Sequence, residues 1–126
     1  MKSKPVPSLV PRLRIVMGQD VAFGPGKAEL LALVGETGSI GKAAKRMGMS
    51  YMRAWSLIQT MNQCFREPLV LAARGGPEHG GAELTRTGHR VLGLYRRMET
   101  NSLKIIRPDW KALRGLLRDG ADGKGK

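Results

Sequence analysis

The chain is poor in the residues that most chemistries require. It has one cysteine, Cys64, and two histidines, His79 and His89, in 126 residues. An internal disulfide is therefore excluded, and no Cys or His neighbour stands at zinc-ligand spacing. No nucleophile–base partnership is visible around Cys64 or either histidine, so we expect no enzyme, no metal and no cofactor. Apolar runs never approach the roughly 18–20 residues that a membrane span needs. The opening MKSKPVPSLVPR is basic, but its prolines leave no apolar block of signal-peptide length. A reducing, cytoplasmic and nucleoid-associated location is the expectation. Gly41-Lys42 superficially resembles the end of a phosphate loop. Glu36 stands where the first glycine of that loop belongs, however, and Ala43 replaces its Ser or Thr. There is no internal repeat.

Acidic residues are scarce too, 10 against 22 Lys and Arg, for a net charge of +12. Such a chain is attracted to phosphate. The excess is uneven. Residues 39–97 hold 10 basic and 3 acidic side chains, whereas residues 1–38 hold 5 and 3 and residues 98–126 hold 7 and 4. With 41% apolar residues the chain can bury a modest core within a single domain.

Residues 1–11, with Pro5, Pro7 and Pro11, are expected to form a flexible arm. A winged helix-turn-helix domain with a linker helix is expected over 12–103, and a basic tail over 104–126. Arg12 to Met17 alternates as a half-buried strand with Leu13, Ile15 and Met17 on one side. Phe23 to Gly26 reads as a turn. A helix over Lys27–Thr37 places Leu30, Leu31, Leu33 and Val34 on one face and stops at Gly38 in a left-handed cap. Ser39 caps a second helix with Ile40, Ala43, Ala44 and Met47 inside, and the two alanines allow a close crossing. Gly48 ends it. Ser50 caps a third helix with Ala54, Leu57, Ile58, Met61 and Phe65 toward the core. Pro68 closes that helical part. Leu69–Ala73, a glycine-rich loop and Ala82–Thr85 make a β-hairpin wing. Thr87 to about Leu103 is a further helix, its apolar side Val91, Leu92, Leu94, Tyr95 and Met98, and Pro108 breaks any continuation. The fold class is mainly α with a small β-hairpin wing.

Two short helices around Met47-Gly48-Met49 have the layout of a helix-turn-helix, whose second helix enters the DNA major groove. On its outer flank stand Met52, Ser56, Gln59 and Gln63, with Arg53 and Trp55 beside them. Arg53 can fork onto guanine and Gln59 can pair with adenine, while Met52 and Ser56 are small or apolar enough for base edges. Ser50 and Tyr51 lie at the helix N-terminus, which favours a phosphate. Trp55 reads as packing. Ser39, Lys42, Lys45 and Arg46 lie on the helix that crosses the DNA backbone, and the last three supply charge without sequence information. In the wing, Arg74 and His79 are candidate minor-groove or phosphate contacts, and Arg86 and Thr87 can clasp a phosphate at the start of the next helix. The same residues also fit a plainer description, as the solvated faces of amphipathic helices.

The stretches GPGKAELLALVGETGSIGKAAKRMGMSYMRAWSLIQTMN, REPLV and LTRTGHRVL resemble the N-terminal domain of ModE-type molybdate-responsive transcriptional regulators. That domain is a winged helix-turn-helix akin to the DNA-binding domain of LysR-type regulators. The resemblance covers about residues 12–100, and TGSIGKAAKRMGMSYMRAW is its specific part. It implies a bacterial DNA-binding dimer held by the N-terminal helix and the linker helix, with Ser50, Tyr51, Arg53, Ser56 and the wing facing DNA. Full-length members continue into oxyanion-binding modules. This chain resembles stand-alone members without them, so no oxyanion ligands are assigned and any effector is unknown.

The leading expectation is a sequence-specific transcriptional regulator that binds double-stranded DNA as a homodimer. Its alternatives are an architectural, nucleoid-type DNA-binding protein, a protein-interaction module, and a molybdate-responsive regulator.

Overall fold

The computed structural model describes residues 5–72 and 81–118. The chain divides into two compact units. Arg12–Arg96 forms one, and the described residues before Arg12 and after Arg96 belong to the other.

The larger unit opens with a hairpin. Strand β1 (Ile15–Met17) pairs antiparallel with β2 (Asp20–Phe23), with Gly18 in the turn at φ 63°. The expected strand is thus shorter than its alternation suggested, and it is not half-buried: Ile15, Val16 and Met17 are all exposed. Leu13, just before it, is the half-buried residue. The turn expected from Phe23 to Gly26 is replaced by the end of β2 and the start of a helix. Phe23 is fully buried, and Gly24 precedes α1 (Pro25–Thr37) with Pro25 in the first turn. Proline is tolerated there because its missing N–H has no helical partner to lose.

Helix α1 buries Leu30, Leu31 and Val34. Gly38 ends it at φ 71°, and its N–H donates to the Val34 carbonyl at 2.8 Å. Ser39 starts α2 (Ile40–Arg46), its hydroxyl oxygen accepting the Lys42 N–H at 3.0 Å. Ala43 and Ala44 are the buried residues of α2, and side chains this small let it pack closely against α1 and α3. Gly48 follows at φ 70°. Both Gly38 and Gly48 occupy the left-handed region, where a side chain is strained. Helix α3 (Tyr51–Cys64) then buries Ala54, Ile58 and Met61, with Leu57 and Phe65 packed on the same core.

Strand β3 (Val70–Ala72) pairs antiparallel with β4 (Ala82–Leu84), Val70 opposite Leu84. Two strands of the expected wing are therefore in place, while residues 73–80 between them lie outside the described residues. Asn62 of α3 holds β3: its Oδ1 accepts the N–H groups of Leu69 (2.8 Å) and Val70 (3.3 Å), and its Nδ2 donates to the Val70 carbonyl at 3.1 Å. Helix α4 (Arg86–Ile105) follows, and Thr85 rather than a helical residue prepares its start. The Thr85 hydroxyl accepts the Gly88 N–H at 2.9 Å and donates to the Pro68 carbonyl at 2.8 Å. Tyr95, Phe23 and Phe65 form an edge-on aromatic group at the heart of the core, with ring centroids 5.1 and 6.1 Å from that of Phe23.

In the smaller unit α4 stops at Ile105, yet Pro108 does not stop the chain from being helical. Helix α5 (Arg107–Arg114) begins at once, with Pro108 in its first turn. Part of the segment expected as a basic tail is therefore ordered. None of its residues is buried, and Ile105, Leu113 and Leu116 stand exposed. No helix of the described residues is long and apolar enough to cross a membrane.

Candidate nucleic-acid interface

The helix-turn-helix is built from local signals. Ser50 caps α3, its hydroxyl oxygen accepting the Arg53 N–H at 3.1 Å. The core side of α3 is set by Ala54, Ile58 and Met61, one turn apart, so the opposite flank must face outward. Met52 (67%), Ser56 and Gln63 are exposed there, Arg53 is exposed beside them, and Ser50 and Tyr51 (46%) are exposed at the N-terminal end of the helix. Gln59 is half-buried. Trp55 departs from expectation. It is 43% exposed and belongs to the outer surface of α3, not to the core. On a helical wheel it lies well away from the buried stripe, next to Gln59.

Three cations of α2 form a second patch. Lys42, Lys45 and Arg46 are exposed, and with Thr37 they line a basin of about 550 Å³. Arg46 reaches Glu36 at 3.5 Å, both side chains being more than half exposed, so one carboxylate offsets one of the three charges and the patch keeps a positive excess. Ser39 is half-buried and its oxygen is already engaged as the cap of α2, which limits it to an accessory contact.

At the start of α4 the expectation and the structure part. Arg86 is exposed and can reach an anion. Thr87 is half-buried and its hydroxyl donates to the Glu67 carboxylate. That carboxylate repels phosphate, and the Gly88 N–H is spent on Thr85. The Thr87 hydroxyl is thus engaged within the protein, and the groups left for an anion at this end are the Arg86 guanidinium and the first N–H groups of the helix. Arg74 and His79 lie outside the described residues.

Two elements of the site were not anticipated. Asn62, whose amide matches the backbone at the start of β3, couples that strand to α3. Arg12, Arg14 and Lys27, although far apart in sequence, line one cavity together with Arg53. Burial holds the Lys27 ammonium below the ordinary lysine value, an effect that Cys64 and Asp20 oppose, and the group donates to the Val21 carbonyl. Among the described residues no group of three His, Cys, Asp or Glu side chains converges as a metal site would require.

Known proteins carry the same layout. The molybdenum-pterin-binding protein MopB of Rhodobacter capsulatus is 40% identical over 91 residues, 72% of this chain and 34% of its own length. The DNA-binding transcriptional dual regulator ModE of Escherichia coli K12 is 41% identical over 83 residues, 66% of this chain and 32% of its own. The chain thus spans about a third of the length of the curated relatives it matches. The expected likeness to the N-terminal part of ModE-type regulators is borne out. Among solved structures, the DNA-binding domain of CbnR in complex with DNA superposes with a TM-score of 0.54 at 24% identity, over 70% of this chain and 95% of that one. VV2_1132, a LysR family transcriptional regulator, does so at 0.53 and 21% identity, over 75% of this chain and 30% of that one. At such identities the agreement establishes the fold, the winged helix-turn-helix that was expected. Residues 26–89 match the bacterial regulatory helix-turn-helix proteins of the lysR family. With half its length accounted for by that pattern and its fold in agreement, the chain belongs to the lysR family of bacterial regulatory helix-turn-helix proteins.

Proposed function

We propose that this protein is a sequence-specific transcriptional regulator that binds double-stranded DNA as a homodimer in the cytoplasm, with no enzymatic step. The observation that carries this reading is the outward flank of α3. Arg53, Met52 and Ser56 are exposed on a capped helix narrow enough for the major groove, beside the cationic face of α2. Arg53 is the candidate for bidentate guanine readout, and Lys42, Lys45, Arg46 and Arg86 are candidates for phosphate. The wing would add contacts on the flanking groove.

Support for the dimer comes from how the apolar side of α4 is used. Tyr95 is buried and Val91 and Leu92 pack on the core, whereas Leu94 and Met98 are left exposed. A two-fold pairing through α4 and α5 would cover them and set two half-sites about one helical turn apart.

The test is selection of bound fragments from random duplex by the purified protein, followed by competition. A specific reader yields a shared palindrome and prefers it to random duplex by about 10³ or more. Arg53→Ala should cost roughly 1–3 kcal/mol on that palindrome and relax preference at one position. Recovery of fragments with no shared motif would favour an architectural coater and overturn the regulator.

A further inference from the structure

Beside the helix-turn-helix, on the Arg53 side of α3, lies a cavity of about 570 Å³. Four cations border it, Arg12, Arg14, Lys27 and Arg53, and no carboxylate does. Val21, Pro25, Met47, Met49 and Leu57 supply the apolar part of its wall. Among the described residues neither Arg12, Arg14 nor Arg53 takes part in an ion pair.

The arginines are held there by the fold. Leu13 lies between Arg12 and Arg14, and its carbonyl accepts the hydroxyl of buried Tyr95 at 2.8 Å. With Leu13 turned inward, both arginines turn out on either side of it. The Arg14 stem runs alongside Gly24, where a Cβ would meet Arg14 Cγ at 3.4 Å, an ordinary packing distance. Lys27 is tied to the Val21 carbonyl.

A volume of this size, mostly apolar with a few convergent charges, matches the make-up of small-molecule sites. Like charges gathered against an apolar wall repel one another, and a bound anion relieves that repulsion. Guanidinium forks suit carboxylate and phosphate oxygens. A DNA phosphate would use the charges but has no need of the apolar wall.

We propose that this cavity binds a small organic anion, a carboxylate or phosphate ester on an apolar body, and that its occupation competes with DNA for Arg53. The second half rests on reading α3 as the DNA-contacting helix. The first does not.

The experiment is calorimetry on the DNA-free full chain at constant ionic strength, with benzoate, phenyl phosphate and inorganic phosphate in turn. At least one aromatic anion should bind about tenfold or more tightly than inorganic phosphate, the margin expected from burying a ring. Arg14→Ala should abolish that binding. Val21→Glu, which puts a carboxylate on the wall and leaves every arginine in place, should abolish it too. No binding by either aromatic anion overturns the site, as does equal binding of all three, which is counter-ion association only. Binding that survives both substitutions overturns it as well. The anion that binds should then weaken capture of the selected palindrome by wild type but not by Arg14→Ala. If it binds without weakening DNA capture, competition for Arg53 is overturned while the site stands. If the protein selects no DNA sequence, the regulator reading fails and calorimetry still decides the cavity.

Discussion

A Cβ placed on Gly88 would lie 2.2 Å from the Leu69 carbonyl oxygen, backbone against backbone. There is no flexible side chain to give way, so Gly88→Ala forces α4 off the backbone that leads into β3. Loss of about 2 kcal/mol or more is expected, read as a lower midpoint in urea unfolding. Tyr95→Phe keeps the aromatic packing and removes the hydroxyl that bonds to Leu13. It should cost roughly 1 kcal/mol and loosen the cavity arginines, lowering anion affinity more than DNA affinity. At this scale the sequence was readable wherever a signal acts over three or four residues. Ser39 and Ser50 cap where expected because each hydroxyl meets an N–H three positions on. The bond from Thr87 to Glu67 is not legible in this way, because its two partners lie 20 positions apart. Trp55 was misjudged because a large ring suggests burial, while its helical phase, also in the sequence, points outward.

Among elements, the three helices from Pro25 to Cys64 were legible because apolar stripes of helical period agree with glycine stops at Gly38 and Gly48 and with Pro68 beyond the third. Strand β2 was not. Four residues, DVAF, carry too little alternation to announce a strand, and their order comes from pairing with β1 and from the burial of Phe23. Helix α5 is hidden for a related reason: a proline signals the end of a helix, yet in a first turn, as at Pro108, it begins one as readily. The coupling between α3 and β3 through Asn62 gives a test at this scale. Asn62→Leu leaves the amides of Leu69 and Val70 without their acceptor. Exchange of those two amides should quicken by about tenfold or more, while those of Ala54 and Ile58 hold their protection.

For the molecule as a whole, charge and assembly are the measurable quantities. If Lys42, Lys45, Arg46 and Arg86 each neutralise a phosphate, the log–log slope of affinity against salt should be about −3 to −4 per protomer, and a flat response would contradict DNA contact through these faces. In light scattering the dimer should have twice the chain mass of 13.8 kDa. Ile105→Glu with Leu113→Glu should return it to a single chain and weaken capture of the palindrome, since both residues are exposed apolar groups. The cavity was beyond sequence reading because its four cations span positions 12 to 53 and meet only in the folded chain. The bond from Tyr95 to Leu13, 82 positions apart, has a further consequence for biosynthesis. A ribosome delivers the amino end first, so the hairpin and the arginines before it must wait, untethered, until α4 has left the exit tunnel. Nascent chains arrested before residue 95 should therefore be nicked by trypsin at Arg12 and Arg14, and those released beyond it should resist.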